Sequence, residues 1–389
     1  MTTGITRVEK QPSKEPPLRF RIHPSVLLIL SSFFVSPVVA TTIPPVSLTV
    51  SGDASPELLA DFRQALERMA ERQPARDGDG DGEPGTAGRI DSDQFWKVEQ
   101  EIPYTVSRES TRQTLSITYP FEGEPPYKVL VHFHGGDWQS DGHQSAKHAA
   151  AYWAIYQGYA LVDVGYRLAP EASWPAQLHD AKAAIRFLRA NAGQFELDAE
   201  RLVVMGSGAG AHLSQMLAAT NGSAAAENPE MGFAGHSSDV QGVISWAGIS
   251  DVTSLATEMQ SAVDELMGYP AYQNKLALEA SPAAQVTDQF PPILLVHGTD
   301  DRVVPFAQSA RMAIRVNAIT GRPRAALRLV VNAGHQTREL VSREVMMQSL
   351  DFADRILFAD EGNPNRSLFY PGIQQVGVNA PGREPSNPE

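Results

Sequence analysis

The sequence predicts an α/β protein with a doubly wound, mostly parallel sheet. Three observations predict it. Short, β-branched apolar runs recur between residues 128 and 335, helical segments with one apolar stripe lie between them, and the loops after the runs carry Gly, His and Asp in compact turns. Runs that are apolar on both faces suit a parallel sheet covered on both sides, and strand–helix alternation places the site at the strands' carboxyl ends.

Taken in chain order, residues 1–40 are expected to be a signal peptide. Arg7, Lys10, Lys14, Arg19 and Arg21 precede the apolar run "VLLILSSFFV", and Val38 and Ala40 are small enough for the −3 and −1 sites of a signal peptidase. An uncleaved anchor is the other reading. The run from Val26 to Ala40 falls short of the roughly 20 apolar residues that span a bilayer, and Ser31, Ser32 and Pro37 interrupt it. The expectation is therefore export to the periplasm, cell surface or medium, with a mature chain beginning near Thr41 and no transmembrane anchor after processing.

Residues 41–99 are expected to form a small helical and acidic segment. Ser55 can cap a helix, Pro56 suits its first position, and Leu58, Leu59, Phe62, Leu66 and Met69 share one face. In "DGDGDGEPGTAGRIDSDQFW", Asp77, Asp79, Asp81 and Gly82 follow the opening of a calcium loop, in which alternate carboxylates converge on one hard cation. The segment resembles an EF-hand with departures. "EPGTAG" interrupts the loop before Ile90 and Asp91, and neutral Gln94 stands where a bidentate Glu is wanted. The two readings are a weak calcium site on Asp77, Asp79, Asp81 and Asp91, or an acidic Gly-rich linker.

The main domain is expected over 100–360. Its strands are read in "KVLVHFHGG" (128–136), "YALVDVGYRLAP" (159–170), "RLVVMG" (201–206), "VQGVISWAG" (240–248), "PPILLVHGTDD" (291–301) and "ALRLVVNAGH" (326–335). Ala181, Ala184, Ile185 and Leu188 form one stripe of a helix that ends near Gly193. A second helix is "AGAHLSQMLAAT", and "SREVMMQSLDFADRILF" (342–358) closes the domain. Residues 220–239 have no periodicity and read as a surface loop that could border the cleft. Residues 361–389, rich in Pro, Gly and Asn, read as a strap or a disordered end.

Composition narrows the functions. With 45 Asp plus Glu against 32 Lys plus Arg, the chain carries −13, and the phosphates of nucleic acid would repel it. Without cysteine there is no disulfide framework and no thiol chemistry, so stability must come from the core. No G-x-G-x-x-G follows the first strand of the sheet, which leaves a nicotinamide or flavin site without support. "GSGAGAHL" lacks the Lys and Ser/Thr of a phosphate-binding loop.

The loops "HFHGGDW", "YRLAPEASWPAQLHDAKAAIRFL", "HGTDDRVVP" and "NAGH" occur in this order at workable spacing. Over about 100–360 the chain resembles the α/β-hydrolase superfamily, in its carboxylesterase and hormone-sensitive-lipase branch, and within that the feruloyl- and acetyl-esterase-like members. The resemblance implies an esterase or lipase-type serine hydrolase acting on a small-molecule or glycan ester, with no cofactor needed for hydrolysis. It places the oxyanion hole on Gly135, Gly136 and the N–H of Ala209, the general base on His335, and the orienting acid on Asp301 in preference to Asp300. His134, Asp180 and His212 read as structural supports. Trp138 either lines the acyl pocket or packs beneath its loop.

In that family the nucleophile is the serine of G-x-S-x-G. Here Gly206 and Gly210 fix the register of "GSGAG", and Gly208 stands at the centre. Centring on Ser207 would put Met205 and Ala209 at the crowded glycine positions. Ser207 remains the alternative nucleophile only if the elbow is rearranged. The expectations are an esterase-family protein with activity lost or severely weakened, a non-catalytic module that binds an ester or glycan in an inherited cleft, a low rate through water activated by His335, or an active esterase using Ser207.

Overall fold

The computed structural model describes residues 48–49, 97–140, 150–255, 257–268, 275–358 and 374–377. The expected leader, the helix at 55–73 and the acidic loop with Asp77, Asp79, Asp81 and Asp91 lie outside the described residues.

One ten-stranded sheet organises the chain. Its strands are β1 (Leu48–Thr49), β2 (Val98–Pro103), β3 (Thr114–Thr118), β4 (Tyr127–Phe133), β5 (Tyr159–Val164), β6 (Leu197–Ser207), β7 (Gly242–Trp246), β8 (Ile293–Gly298), β9 (Ala325–Val330) and β10 (Gln374–Gly377). They lie in the order β1-β10-β9-β8-β7-β6-β4-β5-β3-β2. Strands β4 to β9 are parallel, as their two-sided apolar patterns require.

The edges differ from the sequence expectation. Strands β2 and β3 add an antiparallel border beside β5. Part of the 361–389 tail is a strap strand, since β10 pairs antiparallel with β9 and β1 pairs with β10. The tail thereby extends the sheet beyond its parallel centre.

Among the described residues the helices are α1 (Ala176–Ala190), α2 (Ala209–Ala219), α3 (Thr257–Met267), α4 (Lys275–Glu279), α5 (Pro282–Gln285), α6 (Ala307–Thr320) and α7 (Arg343–Leu357). One core cluster joins a sheet face to α1, α2, α3 and α6 through Leu178, Leu213, Val263 and Met312. The other face packs on the 3₁₀ turn Ala151–Gln157 and on α7 through Ile155, Met346 and Phe352. Covering both faces is what a doubly wound sheet needs to bury its strands.

The 220–239 loop does not border the elbow end of the sheet. Helix α2 starts at the elbow and runs 11 residues back along the sheet, which carries the chain about 16 Å away before the loop begins. Glu227 then pins the loop to α1 through Lys182 and Arg186.

Candidate active site

The order β6-β4-β5 marks a switch point, where the chain winds to one side and then returns to the other. Phe133 of β4 pairs with Gly206 of β6, so the loops after these two strands leave the sheet side by side. Those loops hold Gly135 and Gly136 on one side and Ser207, Gly208 and Ala209 on the other.

The elbow register is fixed by crowding. A β-carbon at Gly206 would lie 2.2 Å from the carbonyl carbon of Gly210, and one at Gly210 would lie 2.0 Å from the Phe133 oxygen. Neither position admits a side chain. Between them Gly208 takes φ +55° and ψ −115°, a conformation open to glycine and strained for other residues, which turns strand β6 into helix α2. Ser207 still belongs to β6, paired with Trp246, and its Oγ is buried without a hydrogen-bond partner.

At the tip of the turn there is room for a side chain. An ideal β-carbon at Gly208 would be 3.5 Å from His335 Nε2 and 3.6 Å from Gln336 Nε2, ordinary contact distances. Ala209 opens α2, so its N–H has no acceptor within the helix and faces the elbow. Across from it, a β-carbon at Gly135 would meet the Ser207 carbonyl oxygen at 2.8 Å. Only glycine lets the two loops approach this closely. Left-handed φ values at Gly136 (105°), Asp137 (56°) and Trp138 (59°) then turn the loop sharply over the strand end.

His335 comes from the loop after β9, three strands from β6, or about 14 Å at the usual spacing. The long β9–α7 connection spans that distance. Its Nδ1 lies 2.7 Å from Asp301 Oδ2, and because the ionised carboxylate only accepts, Nδ1–H donates and Nε2 is left as an acceptor toward Gly208. Asp301 Oδ1 accepts the backbone N–H groups of Val303 at 3.0 Å and Val304 at 2.8 Å. Burial pushes the Asp301 carboxyl up, but hydrogen bonds from His297 and His335 outweigh it, holding the group well below the usual carboxylate range. Asp300 is exposed and accepts from Thr299 Oγ1 instead, so the two neighbouring carboxylates have separate surroundings.

Two contributors were not singled out in the sequence. His297, fully buried, points Nε2 at the Val304 carbonyl (2.8 Å) and at Asp301 Oδ2 (3.2 Å). Its place in "VHGTDD", at the end of an apolar strand, was the available signal. Gln336 takes φ +53° directly after His335 and carries its amide over the elbow, which no local pattern announces.

The residues read as supports are built into the walls. His134 bonds through Nδ1 to the Gly135 carbonyl at 2.7 Å and stacks on Tyr166 at 4.2 Å. Asp180 receives Arg167 and Gln113 Nε2 at 2.8 Å. His212 donates from Nε2 to the Ala280 carbonyl (2.7 Å) and accepts from Trp138 Nε1 (3.3 Å), and burial pushes its pKa down to about 4. Trp138 is fully buried and packs beneath its loop, so it forms no wall of an open acyl pocket.

Comparison with known proteins agrees with this architecture. The BD-FAE family model matches residues 115–315. Esterase LipC of Mycobacterium tuberculosis is 29% identical over 218 residues, covering 54% of this chain and 53% of its own length. Esterase LipQ of the same organism is 30% identical over 186 residues, covering 46% and 44%. The chain thus spans about half the length of the curated relatives it matches. A truncated carbohydrate esterase from gut microbiota shares the fold, with TM-score 0.63, 23% identity, and coverage of 69% of this chain and 98% of that one. With the elbow, the glycine loop and the His335–Asp301 pair assembled at one switch point of an α/β-hydrolase sheet, the chain belongs to the BD-FAE family.

Proposed function

We propose that the chain retains the ester-recognising cleft of an esterase while its hydrolysis is lost or severely weakened, because Gly208 holds the nucleophile's position. One observation carries this reading. The space at Gly208 lies within side-chain reach of His335 Nε2, yet no hydroxyl is there. Loss of a serine nucleophile costs on the order of a million-fold in kcat, with a residual from oxyanion stabilisation and binding. The occupant we infer is a carboxylic ester of a small molecule or glycan. The esterase relatives and the carbohydrate esterase neighbour support this chemistry. On the same reading, Gly135, Gly136 and Ala209 would face the ester carbonyl oxygen, His335 would act as base, and Asp301 would orient it.

Hydrolysis of p-nitrophenyl acetate tests the proposal. The wild type should turn over barely above background, and Gly208→Ser should raise the rate at least about 100-fold. A robust wild-type rate abolished by Ser207→Ala would show that the elbow uses Ser207, and the proposal would fall. The leader is read in the same spirit as an export signal, and N-terminal sequencing of protein from its native host should begin near Thr41.

A further inference from the structure

Two nitrogens flank the missing hydroxyl. From the ideal β-carbon of Gly208, His335 Nε2 is at 3.5 Å and Gln336 Nε2 at 3.6 Å. A hydroxyl oxygen of the kind serine carries would stand on the same side, within hydrogen-bond reach of both. The two nitrogens differ in kind. His335 Nε2 accepts, because Nδ1–H is engaged by Asp301, whereas the Gln336 amide nitrogen can only donate. The group that satisfies both must donate and accept through one oxygen. Water does so, and an ester carbonyl or a carboxylate oxygen does not.

Gln336 is held in this place by its backbone. Its φ of +53° is a conformation that L residues with side chains rarely adopt, and it swings the amide back over the elbow instead of along the chain. The same amide nitrogen lies 3.3 Å from the ideal β-carbon of Gly135, so it sits between the glycine loop and the elbow. A side chain directed to solvent would not meet both loops.

We propose that Gln336 is a catalytic residue of a serine-independent route, in which its amide holds a water molecule on His335 Nε2 at the position of the absent hydroxyl. The inference rests on the reading of Gly208 as the nucleophile's place. In the step, His335 Nε2 takes one proton from the water as the water oxygen bonds to the ester carbonyl carbon. The carbonyl π pair moves to oxygen, where the N–H groups of the glycine loop and of Ala209 face the charge. Collapse of the tetrahedral species breaks the bond to the alcohol oxygen, which leaves with the proton from the His335 imidazolium. Water and ester give acid and alcohol, and no acyl-enzyme forms.

Stopped-flow hydrolysis of p-nitrophenyl acetate by the full chain tests this, with wild type, His335→Ala, Gln336→Met and Ser207→Ala compared at equal folded content by circular dichroism. Gln336→Met keeps the length of the side chain and removes the donor. The expected result is a slow linear release of nitrophenolate with no burst, a background-subtracted rate about tenfold lower in Gln336→Met, none above background in His335→Ala, and no change in Ser207→Ala. A Gln336→Met rate equal to wild type would overturn the role of Gln336, as would a wild-type rate no higher than that of His335→Ala. Both outcomes leave the Gly208 reading intact. A burst that Ser207→Ala removes would overturn both.

Discussion

The Nε2 of His335 lies 3.5 Å from the point where a β-carbon on Gly208 would sit, with Nδ1 held 2.7 Å from Asp301. The His335–Asp301 pair is therefore aimed at a glycine. Ser207, one residue earlier, remains in strand β6 with its Oγ buried and makes no hydrogen bond to His335.

Gly208→Ser should become reactive toward a fluorophosphonate, which phosphonylates a hydroxyl activated by an adjacent base. Mass spectrometry should find one adduct per chain in the variant and none in wild type. Because Gly208 has φ +55°, a non-glycine residue there should cost about 1–3 kcal/mol of stability, read as a lower denaturation midpoint. A labelled wild type would contradict the assignment of the elbow.

Asp301→Asn in the Gly208→Ser background should lower kcat by about 10⁴-fold with little change in KM, since the amide no longer fixes the donor tautomer of His335. The native carboxyl titrates well below its ordinary range, so it contributes stability above about pH 3.9 that is lost as the pH falls below that value. The difference in stability between Asp301 and Asp301→Asn chains should accordingly shrink on acidification from pH 5 to pH 2. Urea midpoints across that range check it.

Much of this arrangement was legible in the chain. Strands β4 to β9 announce themselves because a strand buried on both faces must be apolar throughout. The elbow register was legible because Gly206 and Gly210 are sterically forced, leaving Gly208 at the centre. Strand β2 was not, since "VEQEIP" is largely exposed and pairs at the sheet's edge. Helix α6 carries its own signal in the sequence, a buried stripe of Met312, Ala313 and Val316. Gln336 was out of reach, because its placement depends on a left-handed φ and on a loop that crosses three strands.

Acid should weaken the fold through His212. Burial holds its pKa near 4 in the folded chain against an ordinary value of 6.5, so between those values unfolding takes up a proton. Stability falls as pH drops from 6.5 toward 4, by about 3 kcal/mol in all for this one group. His212→Gln should flatten that part of the pH profile, and thermal melts at half-unit pH intervals would show it. An unchanged slope would mean that other groups dominate.

Calcium, if bound through Asp77, Asp79, Asp81 and Asp91, should bind no more tightly than about 10⁻⁴ to 10⁻³ M, given the insertion and Gln94. Calorimetric titration of residues 41–389 checks this. Micromolar affinity would mean that the insertion loops out without disturbing the ligands, and an absence of heat would favour the acidic linker.

Glu227→Ala should destabilise the fold by about 3 kcal/mol or more. Lys182 is fully buried, and its Nζ is satisfied by Glu227 Oε1 at 2.9 Å, Ser238 Oγ at 2.9 Å and the Thr220 carbonyl at 3.2 Å. Arg186, also buried, engages the other carboxylate oxygen of Glu227 together with the carbonyls of Asn228 (2.9 Å) and Gly232 (3.1 Å). Removing the one carboxylate leaves two cations in α1 without their hydrogen-bonded counter-charge; Asp239 still acts on Lys182 through its charge, and the remaining hydrogen-bond partners are neutral. The loop they pin begins at the far end of α2 from the elbow, so the loss should be confined to stability. In the Gly208→Ser background, Glu227→Ala should lower the urea midpoint and leave KM for p-nitrophenyl acetate within about twofold below the unfolding transition. A large rise in KM with the midpoint unchanged would place residues 220–239 at the cleft after all.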